Sequence, residues 1–302
     1  MKTAYFKYIF ALLLFGSNGI VASFIDLSSY EIVLLRTLIG SLLLIAIFFL
    51  TREKLTFYRH KRQFACLALS GVAMGASWVF LYEAYSQIGV SLASITYYCG
   101  PVIVMMLSPI LFKEKLTKTK IISFIAVLIG IFLVNDNVFN NDNNIWGIFC
   151  GLMSALCYSF MVIFNKKAKK ITGLENSMLQ LFISFITVAI FVFIKQGYRI
   201  QIPQSSIIPI FILGFINTGI GCYFYFSSIG RLPVQTVAIC GYIEPLSAVV
   251  FSVIFLKEIM LSIQIIGAIL IIGGAIYGEN TFLNKKVLTT YKVRDKIKKK
   301  LK

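Results

Sequence analysis

Long apolar stretches, separated by short polar segments, run the length of the 302-residue chain. They fall at about 6–25, 32–50, 64–86, 91–112, 120–135, 145–164, 175–194, 206–228, 233–256 and 261–278. A helix of about 20 apolar residues crosses the hydrocarbon core of a bilayer, so the pattern predicts ten transmembrane helices. The connections leave no room for a second, soluble domain. The first stretch follows Lys2 and Lys7 as a signal peptide would. No A-x-A-like cleavage site closes it and nine further runs follow, so it reads as an uncleaved first helix.

The polar segments set the orientation. With the N-terminus inside, 25 of the 29 Lys and Arg residues fall in cytoplasmic segments and 3 in external ones (Lys195, Arg199, Lys257), while Arg36 lies within a span. The outer segment 135–144 carries two acids and no base. By the positive-inside rule this bias puts both termini in the cytoplasm. Only 14% of residues are charged and 58% are hydrophobic, too few charges to coat a water-facing surface, which excludes an ordinary soluble enzyme. A net charge of +17 would suggest nucleic acid as the partner of a soluble protein. Here it follows topology, so the expected partner is the lipid bilayer and no nucleic-acid partner is expected. Segment 281–302 carries nine bases against Asp295 and reads as a polybasic cytoplasmic tail resting on anionic lipid. The six cysteines lie in or beside apolar runs without a CxxC pair, and His60 is the sole histidine. They read as small packing residues, and no metal or cofactor is expected.

Compared with itself at a shift of 144 residues, the chain matches without a gap. Glu31 meets Glu175, Val90 meets Val234, Pro101 meets Pro245 and Ser108 meets Ser252. Lys113-Glu114 meets Lys257-Glu258, Ile121-Ile122 meets Ile265-Ile266, and Gly130 meets Gly274. The division is a first five-helix repeat over 1–136, a second over 145–280, and the tail 281–302. Five is odd, so the second copy enters the membrane from the opposite side. Inverted copies meeting at a pseudo-two-fold axis form a recurring transporter architecture with the substrate near the midplane.

The segments Gly100-Pro101…Phe112-Lys113-Glu114-Lys115-Leu116-Thr117 and Glu244-Pro245-Leu246-Ser247…Leu256-Lys257-Glu258 resemble the paired signatures of EamA-type transporters, in the drug/metabolite transporter superfamily. The resemblance covers about 6–280. It implies an all-α fold of ten helices in two inverted halves around a central cavity. It further implies movement of small metabolites, often amino acids and frequently outward.

Polar groups inside a bilayer are costly and usually functional. Three ionisable residues lie within spans: Arg36, Glu83 and Glu244. Glu244, near the midplane, must be paired, hydrated or protonated. It reads either as a site for a substrate ammonium or a proton, or as a structural carboxylate bonding backbone groups freed beside Pro245. Arg36 and Glu83 lie at matching depth near the external face, so they read as an ion pair, structural or gating. Trp78, Tyr82 and Tyr85 recur at helical spacing on one face. Tyr85 reads as an interface-belt residue, whereas Trp78, Tyr82, Tyr97 and Tyr98 suit an aromatic wall for an amphipathic metabolite or a bound cation. Asn18, Tyr158, Tyr223, Tyr225 and Tyr242 are further candidates. Pro101 and Pro245 each remove a backbone donor and should kink their helices beside the cavity. Gly71-x-x-x-Gly75 and Gly147-x-x-x-Gly151 permit close helix contact.

An intramembrane enzyme lacks its parts here: no HExxH, no aspartate inside a span and no Ser–His pair at membrane depth. No GxxxxGK[ST] motif supports ATP-driven pumping. The leading expectation is a secondary transporter and exporter of small metabolites such as amino acids, working by alternating access, with protons as one possible coupling ion. A passive facilitator or channel for small amphipathic solutes is the alternative. The expected location is the plasma membrane of a prokaryote, and the sequence assigns no oligomeric state.

Overall fold

The computed structural model describes residues 2–114, 117–134, 145–197 and 200–256, with scattered positions between 262 and 277. The segment 135–144, Lys115-Leu116, Lys257-Glu258, part of the tenth apolar stretch and the tail 281–302 lie outside the described residues. Among the described residues all regular structure is helical. Apart from two 3₁₀ turns at Phe57–Arg59 and Gln204–Ser206, these are in order α1 (Lys2–Gly16), α2 (Asn18–Ala22), α3 (Ser29–Leu50), α4 (Lys61–Tyr97), α5 (Cys99–Phe112) and α6 (Lys118–Val134). Then follow α7 (Ile145–Lys167), α8 (Gly173–Gln196), α9 (Ile207–Ile212), a π-helical segment Leu213–Ile220, α10 (Gly221–Ile229), α11 (Val234–Cys240) and α12 (Ile243–Leu256).

Lipid offers no hydrogen bonds to a backbone, so an apolar run within it must satisfy itself as a helix. Among the described residues, six helical stretches are long and apolar enough to cross a membrane: Lys2–Ala22, Ser29–Leu50, Lys61–Ile88, Ile145–Lys167, Gly173–Lys195 and Gln204–Ile229. Cys99–Phe112 is apolar but shorter. Phe6, Leu50, Ile110, Ile145 and Ile194 stand exposed on the outside of the bundle. Arg36, Asn165, Asn176 and Gln180 are buried inside it. This arrangement, polar within and apolar without, suits a lipid surround.

α4 is not one straight rod. Its 37 residues would span about 55 Å at 1.5 Å each, against about 30 Å of hydrocarbon. Ser70 Oγ donates to the Met161 carbonyl, Ser77 Oγ to the Ser154 carbonyl, and Gly147 packs on Gln87 and Ile88, so this stretch runs antiparallel to α7. Beyond it the order reverses, with Gly151 against Thr96 and Gly100 against Ala155 and Tyr158. The chain therefore turns back between Ile88 and Thr96, near the boundary that the hydropathy pattern predicts.

Helical winding is interrupted at Ser17, at Tyr98 and at Gly241–Tyr242. The last two breaks lie three to four residues before Pro101 and Pro245. A proline ring clashes with the carbonyl four residues back and donates nothing to it, which is the local cause at both places.

Many contacts occur in pairs related by the shift of 144. Cβ atoms added at Gly130 and Gly274 would meet Ile271 and Val127 respectively, and 127 and 130 become 271 and 274 under the shift. The same two contacts show that the segments around 127 and 271 cross antiparallel. Arg36 bonds Thr218, and Gln180 lies 3.9 Å from Met74 Sδ through its Nε2. Gly219 packs on Gly40 as Gly75 packs on Ser184. Tyr242 and Tyr98, which the shift superimposes, bond to each other, the Tyr242 hydroxyl donating to the Tyr98 carbonyl at 2.9 Å.

Candidate functional site

A cavity of about 470 Å³ lies between the broken first span, α3, α4, α7, α10 and α12. It opens where Gly19 and Ser86 are exposed, and its buried lining includes Met161, Cys222 and Tyr225. The opposite end of the bundle is shut. There the Glu114 carboxylate accepts from the backbone N–H groups of Val234 (2.8 Å) and Gln235 (3.2 Å), at the start of α11. Gln235 Nε2 donates to Ser108 Oγ, Tyr8 Oη to the Val237 carbonyl, and Lys166 Nζ to the Leu232 carbonyl.

The residues singled out in the sequence sort into two groups. Glu244, Trp78, Tyr82, Tyr97, Tyr98, Asn18 and Tyr158 all line the cavity. So does Tyr85, expected at the membrane interface; its helix turns it inward beside Tyr82, ring to ring at 5.3 Å. Tyr242 does not line it. That side chain is fully buried against Tyr98 and Phe124 at the second helix break.

The expected ion pair between Arg36 and Glu83 is not formed. Glu83 pairs with Lys195 at the end of α8, 2.9 Å away, and accepts from Gln87 Nε2. Lys195 also donates to Tyr30 Oη and lies 4.4 Å from the Tyr30 ring centroid. The physical reason is rotation about the helix axis: Glu83 turns to the α8 side, while Arg36 turns to the interior. There Arg36 Nε donates to Thr218 Oγ1 at 3.0 Å, and Nη1 reaches Tyr82 Oη at 3.5 Å. Its guanidinium lies 4.9 Å from the Trp78 ring centroid, in cation–π contact. Arg36 thus belongs to the cavity wall.

Glu244 sits opposite in sign on the same wall, just after the break at Gly241–Tyr242. Among the described residues its carboxylate accepts no hydrogen bond, and Arg36 and Glu244 do not form an ion pair. The wall between them is aromatic: Trp78, Tyr97, Tyr98, Tyr158, Phe15 and Tyr225. Tyr97 and Tyr158 meet edge to face at 5.5 Å, and the Tyr158 and Tyr225 hydroxyls lie 3.4 Å apart. Such a chamber can hold an apolar body while reading a positive and a negative group at separate points. Sequence reasoning did not single out Phe15, Phe226, Asn217 or Thr218, since nothing in their local pattern differs from ordinary span residues.

Fold and cavity together define a polytopic helical membrane protein with an internal cavity. The chain belongs to the EamA-like transporter family, whose model matches it twice, over residues 2–136 and 145–277. It is therefore a membrane transporter built on two copies of one module. The uncharacterized transporter YxxF of Bacillus subtilis (strain 168) is 25% identical over 278 residues, covering 90% of this chain and 88% of that one. An uncharacterized transporter of Helicobacter pylori (strain ATCC 700392 / 26695) is 26% identical over 261 residues, covering 82% and 85%. A solved crystal structure superimposes with a TM-score of 0.77 at 16% identity, covering 91% of this chain and 98% of the other; at that identity it speaks for the fold alone.

Proposed function

We propose that the protein is a secondary transporter that moves small zwitterionic metabolites, amino acids among them, by alternating access. The observation that carries this reading is the pair of opposite charges, Arg36 and Glu244, left unpaired with each other on one aromatic cavity wall. A buried charge held without a counter-ion is unfavourable, and a ligand bearing both signs satisfies both groups at once. Two matched repeats, contacts paired by the 144-residue shift and an antiparallel crossing at Gly130 and Gly274 support ten spans arranged as two inverted halves, 1–136 and 145–280. Under the positive-inside assignment both termini and the tail 281–302 are cytoplasmic, the membrane is a prokaryotic plasma membrane, and the open cavity faces outward. The closed end at Glu114 is then the cytoplasmic one. Rocking of the halves would open that end and close the other around the same site, with net flux outward. Glu244 serves as the ammonium partner and as the group through which protons couple.

Counterflow in proteoliposomes, with a panel of labelled amino acids and the matching amines, tests the reading. Wild-type protein is expected to exchange zwitterions saturably and to respond to a pH gradient, and Glu244→Gln to lose that response. Exchange indifferent to both the gradient and the substitution would refute coupling at Glu244. Absence of exchange for every zwitterion would refute the substrate class.

A further inference from the structure

Two hydrogen-bond donors of the cavity, Asn18 and Arg36, are held by neighbouring residues of a third element. That element is the π-helical segment Leu213–Ile220. Segments of this winding insert an extra residue into a turn and occur often at functional sites.

The Asn217 amide nitrogen lies 3.0 Å from the Leu14 carbonyl, 2.9 Å from Ser17 Oγ and 3.0 Å from Asn18 Oδ1. A carbonyl only accepts, and the Ser17 hydroxyl already donates to that same Leu14 carbonyl at 2.8 Å. The face of Asn217 toward the first span is thus its NH2. Asn18 in turn must show Asn217 its oxygen, because the reverse rotamer would set one NH2 against another. The NH2 of Asn18, a cavity-lining residue, is left for the cavity. The next residue, Thr218, donates its hydroxyl to the Leu213 carbonyl at 2.8 Å and accepts from Arg36 Nε at 3.0 Å. That holds the guanidinium with its terminal nitrogens directed along the wall. The repeat-equivalents of Asn217 and Thr218 are Ala73 and Met74, inside α4 and regularly α-helical. The device belongs to one half only.

We infer that the π segment is a positioning element for anion recognition: Asn217 turns Asn18, and Thr218 holds Arg36, so that their N–H groups converge on the carboxylate of a zwitterion. The inference rests on the zwitterion reading above and deepens it.

Equilibrium binding of labelled phenylalanine and of 2-phenylethylamine to the purified full-length protein tests it, since the two probes differ by the carboxylate alone. Wild-type protein should prefer phenylalanine by about tenfold or more, the worth of charge-assisted hydrogen bonds. Asn217→Leu removes the donor. Asn217→Asp keeps the shape but presents an acceptor, which turns the Asn18 NH2 away from the cavity. Both variants should bind phenylethylamine as the wild type does, showing an intact fold, and lose the preference for phenylalanine. Asn18→Leu should lose it to the same extent, and the Asn18→Leu/Asn217→Leu double variant no further. Equal loss of both probes in monodisperse Asn217→Leu and Asn217→Asp, or additive losses in the double variant, would overturn the positioning role alone. Wild-type protein that binds neither probe, or both equally, would overturn the zwitterion reading and the role of these donors with it.

Discussion

Removing the Glu114 carboxylate should open the end of the cavity that is closed here. Glu114 accepts two backbone N–H groups, at 2.8 and 3.2 Å, and these donors start α11, where no helical partner exists for them. A hydrogen bond to a charged group contributes about 1.5–3 kcal/mol. The second bond is long, and water at the bundle end replaces part of what is lost. A net of about 2 kcal/mol is then left, and it favours only the state in which the clamp is closed. That corresponds to about a 30-fold change in the ratio of the two access states. Glu114→Gln keeps one accepting oxygen and should shift the ratio by about fivefold, Glu114→Ala by the full amount. The readout is an Ala248→Cys reporter on the cavity wall, in a background with the six native cysteines replaced. An impermeant maleimide is applied from one side of proteoliposomes at a time. Labelling from the Ser86 side should fall and labelling from the Glu114 side should rise, in the order Glu, Gln, Ala. An unchanged ratio in both variants, with melting temperatures unaltered, would refute the clamp as a gate.

Three further outcomes follow from contacts already described. Arg36→Lys keeps the charge but cannot both bond Thr218 and lie flat against Trp78, so half-saturation for a zwitterion in counterflow should rise about tenfold, with little change for the matching amine. Gly16→Ala places a methyl into Ser247 Oγ and within 2.8 Å of the Glu244 carbonyl, which forces α1 and α12 apart. A loss of about 2 kcal/mol, read as a lower melting temperature and partly restored by Ser247→Ala, is expected. Glu175 accepts from Thr56 N and Thr56 Oγ1, both at 2.6 Å, and from Phe57 N at 2.9 Å. Glu175→Gln should loosen the 51–60 connection by about 1–2 kcal/mol and speed trypsin cleavage at Arg59 about tenfold.

How far the sequence reached depended on the kind of force involved. Spans were legible because lipid leaves a backbone no other solution than a helix: the stretch 175–194 is α8 within two residues at each end, and 32–50 is α3 within three. The module was legible because duplication leaves identities at a fixed shift. Partner choice was not. Matching depth suggested Arg36 for Glu83, but depth says nothing of rotation about a helix axis, and the true partner, Lys195, lies 112 residues along the chain. The π segment left no trace, since propensity scales do not separate α from π winding in a run such as Leu213–Ile220. Tyr98 and Tyr242 occupy equivalent positions, yet only Tyr98 faces the cavity, because a chamber open at one end breaks the equivalence of the halves.

That last pair has a mechanical meaning. Two residues superimposed by the internal symmetry and in contact with each other must sit on the axis itself. Here one hydroxyl, that of Tyr242, donates across the axis to the Tyr98 backbone carbonyl, and each residue stands at a gap in its helix. Under the alternating access proposed above, an exchange of roles between the halves would hand the bond over by the same symmetry, with Tyr98 as the donor and the Tyr242 carbonyl as the acceptor. The pivot would then keep one hydrogen bond in either state and pass it from hand to hand. On that proposal neither state carries an advantage at the pivot, and the balance between them is set at the two mouths.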